Sequence, residues 1–316
     1  MNSRPLVSII IPCRRIDEMT MQCISKCRLL EYKNFEIILL PDDQGSSEEA
    51  MRVTPTGPVS PGKKRNIGGS IAKGEIFAYI DADAYPRPDW LTNAVSYLQK
   101  ENVGAVGGPG LTPLEDGSFA QAQGAMLASF LVSGKISSRY KGSEAGESDD
   151  IHSVNFVAWR KVIESAGGWN EQYWPGEDTL ICRDIKKAGY KQLLAPDVVV
   201  FHRRRPTWRG YLNQIRNYGI HRGYFAKRFP ENSLRLGYFF PSLLIVGLIA
   251  GVLLSLILPL FWLALTAGLL VYVTVLLTVG LHNSKNISRI IIGVPLTHLA
   301  YGLGFIQGLA SRRLSR

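Results

Sequence analysis

No aspartate, glutamate, lysine or arginine occurs between residues 238 and 281, and a second stretch without them covers 290–311. A bilayer-crossing helix needs about 20 predominantly apolar residues, so the first stretch has room for two and the second for one. A buried core helix of a soluble protein would be far shorter than the first stretch. The pattern predicts helices near 239–258 and 260–281, divided at Pro259, with 290–310 as a third candidate. Cysteine is also scarce: four in 316 residues, at Cys13, Cys23, Cys27 and Cys182. That number suits a reducing compartment. Cys23 and Cys27 lie four apart on an expected helix, but no second pair completes a zinc site, so they read as packing residues. There is no G-x-G-x-x-G and no G-x-x-x-x-G-K-[ST], which leaves dinucleotide and P-loop chemistry without support. The apolar run at 6–11 is too short for a signal-peptide core and stops at Pro12, so it reads as a strand. The N-terminal domain is therefore expected in the cytoplasm.

The formal charge is +10, from 36 Lys and Arg against 26 Asp and Glu. Much of the excess lies in a collar at 202–235, where Arg203, Arg204, Arg205, Arg209, Arg216, Arg222, Lys227, Arg228 and Arg235 face the single acid Glu231. A basic patch can mark nucleic-acid binding. This one directly precedes the first membrane stretch, so an anionic leaflet or a lipid-linked phosphate is the expected partner, and nucleic acid is not.

Strand and helix signals alternate over residues 5–110. Expected strands are 7–11, 35–40, 75–80 and 103–106. Expected helices are 19–30, one opened by Pro61-Gly62, and 90–99. This order implies a doubly wound, mostly parallel α/β sheet. The stretch 135–153, rich in Ser, Gly and charge, reads as a mobile loop or lid. Order resumes at 153–159, a helix opens at Glu177-Asp178, and 198–201 is a further strand.

Ionisable groups gather where strands are expected to end: Asp42 and Asp43, Asp81 and Asp83, Glu177 and Asp178, and His202. In an open α/β sheet, ligands bind beyond the carboxyl ends of the strands. Two hard oxygen ligands in Asp81-Ala82-Asp83 suit Mg²⁺ or Mn²⁺ held together with substrate phosphates. A lone Asp-x-Asp is usually a solvated turn; it is the company of the other acids that suggests a phosphorylated-nucleotide site.

The pieces VSIIIP, EIILLPDDQGS, KKRNIGGSIAKGEIFAYIDADAYPRPDWL, FVAWRKVIESAGGWNE and WPGEDTLICRDIKKAGYKQLLAPDVVVFH, in this order, resemble a family-2 glycosyltransferase of the GT-A fold over about residues 5–230. The tail, HRRRPTWRGYLNQIRNYGIHRGYFAKRFP followed by membrane helices, is similar to the succinoglycan-type glucosyltransferase subgroup. The resemblance implies that Asp42 or Asp43 bonds the nucleobase, although Pro41 here interrupts the family's usual spacing. It implies Asp81 near ribose and diphosphate, Asp83 on the metal, and Asp178 as general base. Glu177 is the alternative base or a helix cap. His202 is either a further metal ligand or structural. Lys64 and Arg65 either touch the donor diphosphate or form a solvated helix face. Trp174 either stacks on an acceptor sugar or packs in the core. Gln214-Ile215-Arg216-Asn217-Tyr218 departs from the Gln-x-x-Arg-Trp signature of processive synthases, which argues for one sugar per encounter.

The expected organisation is thus a cytoplasmic catalytic domain at 1–230 and a membrane domain at 236–316 with two or three helices. The expected activity is inverting transfer from a UDP- or GDP-sugar to a lipid-linked saccharide acceptor in cell-surface glycan assembly, with Arg203, Arg204 and Arg205 meeting the lipid pyrophosphate. The alternatives are transfer to a polyprenyl phosphate, or a catalytically silent sugar-nucleotide-binding protein. Two crossings return Lys285 and Arg289 to the cytoplasm, as positive-inside bias prefers. A third would export Arg312, Arg313 and Arg316, so 290–310 is read either as a helix across or as an interfacial or re-entrant segment. Gly247/Gly251 and Gly304/Gly308 have the spacing of helix-packing glycines.

Overall fold

The computed structural model describes residues 4–43 and 51–314, with Ser284 described by its backbone alone. Gln44, Gly45 and Ser46 of the expected turn after Asp43 lie outside the described residues. In chain order the elements are β1 (Val7–Pro12), α1 (Glu18–Arg28), β2 (Phe35–Leu40), β3 (Met51–Val53), α2 (Pro61–Ile71), β4 (Ile76–Ile80), β5 (Ala84–Pro86), α3 (Trp90–Leu98), β6 (Val103–Gly107) and β7 (Gly110–Leu111). Then come α4 (Ser118–Ala128), α5 (Phe130–Ser133), β8 (Gly146–Glu147), β9 (Asn155–Trp159), α6 (Arg160–Ser165), α7 (Glu177–Lys187), β10 (Lys191–Leu194) and β11 (Val200–His202). Helices α8 (Trp208–Arg228), α9 (Pro230–Ser233), α10 (Leu236–Ser255), α11 (Leu260–His282) and α12 (Ile287–Ala310) complete the chain.

Packing divides the chain into two units, Met1–Pro113 with Ser138–Arg203 and Leu114–Ser137 with Arg204–Arg316. The division falls at Arg203, ahead of the expected domain limit at 230, and it sets 114–137 with the C-terminal helices. The expectation took 114–137 as part of the catalytic domain. Its signal was present in the sequence: no charged residue lies between Asp116 and Lys135.

The first unit is built on an eight-stranded sheet in the order β3-β2-β1-β4-β9-β6-β10-β8. β1 pairs in parallel with both β2 and β4, and β6 with β10. β9 runs antiparallel between β4 and β6. The central strands are mostly apolar because both faces are covered. Alternate side chains show it. Ile9, Ile11, Ile37, Leu39, Ala78 and Ile80 join α1 and α3 in one core. Ile10, Ile38, Leu40, Phe77 and Tyr79 join residues of α2, α6 and α7 in the other. A second, three-stranded sheet has the order β5-β11-β7. The stretch 135–153, expected as a mobile loop or lid, includes most of a 3₁₀ turn at Gly134–Arg139 and the strand β8, which pairs with β10. Its charges are not all solvated, because Arg139 and Asp150 form a buried ion pair, with both side chains nearly inaccessible.

The second unit holds three helices long and apolar enough to cross a membrane: α10, α11 and α12. α10 and α11 form a hairpin, with Leu265 against Gly251. Helix α8 runs beside the C-terminal half of α12. Gly219 and Gly223 meet the backbone of Tyr301 and Phe305, while Gly304 and Gly308 meet the backbone of Arg216 and Ile220. A Cβ at Gly304 would overlap the Arg216 carbonyl oxygen, which belongs to helix backbone and cannot turn aside. Gly304→Ala is therefore expected to destabilise the protein by about 1–3 kcal/mol, the usual penalty for overpacking. Gly247→Ala, where nothing lies within 4 Å, should have no such effect. Thermal melts of the two variants in detergent check this.

Candidate functional site

Helix α2 carries the first part of the site, and its local sequence explains how. Ser60 Oγ accepts from the Lys63 amide at 3.3 Å and Pro61 occupies the first turn, a standard start. Gly68 then lets the helix approach the sheet, since a Cβ there would lie 2.6 Å from Ile10 Cγ2 and 2.9 Å from Leu40 Cδ1. The close approach drives Lys64 and Arg65 inward, to 3% and 2% exposure. Neither forms a solvated helix face.

Lys64 closes the ends of two strands. Its ammonium donates to Cys13 O at 2.7 Å, to Leu40 O at 3.0 Å and to the Asp42 carboxylate. Asp42 is thereby tied to the C-terminal ends of β1 and β2, and Asp43 beside it is exposed. Burial pushes the neighbouring Cys13 thiol up to about 11, so it is no nucleophile at neutral pH.

Arg65 bridges two carboxylates. Nη1 donates to Glu177 Oε1 at 2.9 Å and Nη2 to Asp81 Oδ1 at 2.8 Å. The guanidinium carbon lies 4.7 Å from the Trp169 ring centroid, within cation–π range. Asp81 and Glu177 keep Arg65 charged against the cost of its burial. Burial pushes the Glu177 carboxyl up to about 7; Arg65 opposes this rise and Asp178 adds to it. The bridge joins the end of β4 to the first turn of α7.

Glu177 and Asp178 do not follow a strand, as the sequence suggested; they open α7 after Gly176, whose φ is +115°. Asp178 is half-buried, and its Oδ1 accepts the Thr179 amide at 2.8 Å. Thr179 Oγ1 reaches Asp150 at 3.4 Å, so the Arg139–Asp150 pair supports the same helix turn. The sequence reading missed that pair. Trp174 is 55% exposed, which excludes core packing for its ring.

Asp83 and His202 meet through the second sheet. β5 and β11 pair antiparallel with His202 opposite Ala84, which places Asp83 Oδ1 3.4 Å from His202 Nε2. The Arg203 amide donates to Asp83 O at 3.1 Å, and the Arg203 guanidinium donates to Gln22 Oε1 at 2.8 Å. Arg204 and Arg205 belong to the second unit. Among the described residues no group of three or more His, Cys, Asp or Glu is gathered around a metal position. Asp83 and His202 nevertheless offer an adjacent carboxylate oxygen and imidazole nitrogen, both partly open. That donor pair fits Mn²⁺, the remaining positions falling to substrate phosphate and water.

Contacts and chain adjacency thus link Asp42, Lys64, Arg65, Asp81, Asp83, Glu177, Asp178 and His202 at one edge of the first unit. Comparison with known proteins gives the following. Residues 76–282 match the family described as Glycosyl transferase family group 2. The chain is 26% identical over 228 residues to the uncharacterized protein y4gI of Sinorhizobium fredii, covering 64% of this chain and 25% of that one. It is 24% identical over 216 residues to the glycosyltransferase AglE of Haloferax volcanii, covering 64% and 68%. With the pre-mycofactocin glycosyltransferase of Mycobacterium tuberculosis it shares 25% over 176 residues, covering 56% and 37%. It therefore spans about a quarter of the first of these relatives. Among solved structures, the mannosyltransferase PcManGT from Pyrobaculum calidifontis, in complex with GDP-Man and Mn²⁺, superposes with a TM-score of 0.59 at 18% identity, covering 94% of this chain and 88% of that one. GalNAc-T7 with UDP, GalNAc and Mn²⁺ gives 0.51 at 17%, covering 75% and 52%. At these identities the likeness is one of fold, and the fold is the GT-A arrangement.

Proposed function

The chain belongs to the glycosyl transferase family group 2, and we propose that it is an inverting transferase. It moves one sugar from a nucleotide-diphosphate donor to a lipid-linked saccharide acceptor, as in the succinoglycan-type subgroup. The observation that carries the reading is the Arg65 bridge, whose buried guanidinium holds Asp81 and Glu177, and with Glu177 its neighbour Asp178, in one network.

Asp178 takes the proton of the acceptor hydroxyl as its oxygen attacks the anomeric carbon, and the bond to the nucleoside diphosphate breaks. A positioned carboxylate is suited to that transfer. Asp81 faces the donor's ribose and diphosphate, and Asp42 or Asp43 its base. The Lys64 ammonium orients Asp42 and so serves the donor indirectly. Asp83 and His202 would hold the divalent cation, which when bound offsets charge on the departing diphosphate. The structural relatives solved with GDP-Man or UDP and with Mn²⁺ support both donor class and metal.

Three long apolar helices and the basic 202–235 collar in the same chain support an acceptor that is itself in the membrane. On this reading the first unit performs catalysis at the cytoplasmic face and 236–316 forms a multi-pass membrane domain. The test is calorimetric titration of UDP- and GDP-sugars with and without Mn²⁺. Asp83→Asn is expected to weaken the metal-dependent part of binding at least about tenfold, the scale on which even outer-shell metal residues act. Equal binding with and without metal would remove the metal role. Equal turnover of a free soluble sugar and a lipid-linked one would remove the membrane acceptor.

A further inference from the structure

The second unit shows how deep α12 reaches beside its neighbours. Its first turn meets the end of α11, with Ile287 and Ile291 against Gly280. His298, halfway along, has its Nδ1 2.9 Å from the Tyr272 hydroxyl and its ring 5.7 Å from Phe240. Gly302 O accepts from Ser242 Oγ at 3.0 Å, and Phe305 packs on Phe239 with ring centroids 4.7 Å apart. Phe239, Phe240 and Ser242 all lie within the first two turns of α10.

A third crossing would look different. The hairpin pairs the end of α10 with the start of α11, so a helix entering beside Gly280 and rising alongside would bring its last turns towards Ser255. At 1.5 Å per residue, Phe239 and Ser255 are about 24 Å apart along α10. Phe305, five residues from the end of α12, is beside Phe239. The far half of the hairpin, including Ile249, Val252, Leu253, Leu260 and Leu263, is exposed. Tyr272 is midway along α11, so α12 lies obliquely across the near half of the hairpin.

Its other neighbour fixes the same level independently. The C-terminal half of α12 is locked to α8, where Arg216 Nη2 donates to Gln307 Oε1 at 2.6 Å and Lys227 Nζ to Ser311 O at 2.7 Å. Arg209, Arg216, Lys227 and Arg228 of α8 are exposed, and such charges are expensive in hydrocarbon. On α12, Ile292, Leu299, Leu303 and Ile306 are exposed in a stripe of helical period. Basic groups on one helix and an apolar stripe on its partner suit a headgroup–acyl boundary. The α4–α5 break belongs to the same layer. Leu131 O is 2.9 Å from His298 Nε2, Ser129 Oγ accepts the Leu131 amide, and Phe130 is 71% exposed. Interrupted backbone so satisfied is tolerated at shallow depth.

We propose that α12 is not a third crossing but, with α8 and the α4–α5 break, forms a surface seated in one leaflet of anionic lipid. The crossings are then α10 and α11, and Arg312 and Arg313 return to the side of Lys285 and Arg289, which removes the charge conflict of a third span. The inference rests on reading the α10–α11 hairpin as membrane-spanning, and it is independent of the chemistry proposed above.

Single cysteines at exposed positions test it in sealed vesicles with a membrane-impermeant maleimide, since the four native cysteines are buried. Arg312→Cys should label from the same side as Ser96→Cys in the first unit, and Leu258→Cys from the opposite side. Labelling of Arg312→Cys from the side of Leu258→Cys would overturn the proposal. If Leu258→Cys labels with Ser96→Cys, the hairpin does not cross, and the proposal falls with the membrane reading. A nitroxide on Leu303→Cys, in vesicles of phosphatidylcholine with phosphatidylglycerol, should report headgroup depth, shallower than one on Ile249→Cys. Equal mid-bilayer depth for the two would also overturn it. Glycosyl transfer is not read in either experiment, so failure of the catalytic proposal leaves both outcomes interpretable.

Discussion

Asp178→Asn is expected to lower turnover by about 10²–10⁴-fold, the range a positioned general base supplies, with nucleotide-sugar affinity essentially unchanged. The substitution is chosen for what it keeps. Asp178 Oδ1 accepts the Thr179 amide at 2.8 Å, and an asparagine carbonyl accepts the same bond, so the first turn of α7 stays in place. Only the capacity to take a proton is removed. Calorimetry with the donor and single-turnover transfer to a lipid-linked acceptor separate the two effects. Loss of donor binding together with turnover would make Asp178 a structural residue. Full activity would transfer the role to Glu177, whose buried carboxyl is raised to about 7 and bound to Arg65. Glu177 is the poorer candidate because the proton of an incoming hydroxyl would have to reach a 3% exposed side chain.

The parts of this site that could be read from sequence are those created by local pattern. The run Ile76–Ile80 is apolar and buried throughout, so the strand and the placement of Asp81 at its end were legible. The Pro61-Gly62 start of α2 was legible for the same reason. The pairing of Arg65 with Glu177 was not, since 112 positions separate them and nothing local distinguishes a buried arginine from one on a solvated face. The sheet that brings His202 to Asp83 rests on strands of two or three residues, β5, β7 and β11. Such strands are too short to show alternation. The antiparallel course of β9 was equally hidden, because a strand's apolar pattern carries no direction. Helices α10 and α11 were evident from composition, but the depth of α12 depends on which residues of its neighbours it meets. The 117–134 stretch escaped notice through brevity, although its lack of charge was in view.

Arg65→Met should cost about 3–5 kcal/mol, because it strips the cation from two carboxylates held in place by the fold. Against a typical stability of about 5–15 kcal/mol, that is a large share. Arg65→Lys should fall between wild type and Met, since one ammonium cannot reproduce a planar fork donating to Asp81 and Glu177 at 2.8 and 2.9 Å. The sign of the pH dependence follows from Glu177, whose carboxyl rises from 4.5 to about 7 on folding. The folded state holds that proton more tightly than the unfolded one. Its contribution is therefore full below about pH 4.5 and is lost as pH rises through 7. Removing Arg65 takes away both its charge and its hydrogen bond, two of the effects that oppose this rise. The deficit of Arg65→Met should therefore be larger at pH 8 than at pH 5, where protonation of Glu177 relieves the buried unpaired charge. Glu177→Gln should flatten the wild-type slope between those values, and in the Arg65→Met background it should restore part of the lost stability. Thermal melts of wild type and the four variants in detergent, at both pH values, check each step. A pH-independent deficit under about 1 kcal/mol for Arg65→Met would mean that packing on Trp169, and not the double ion pair, holds α7 to the end of β4.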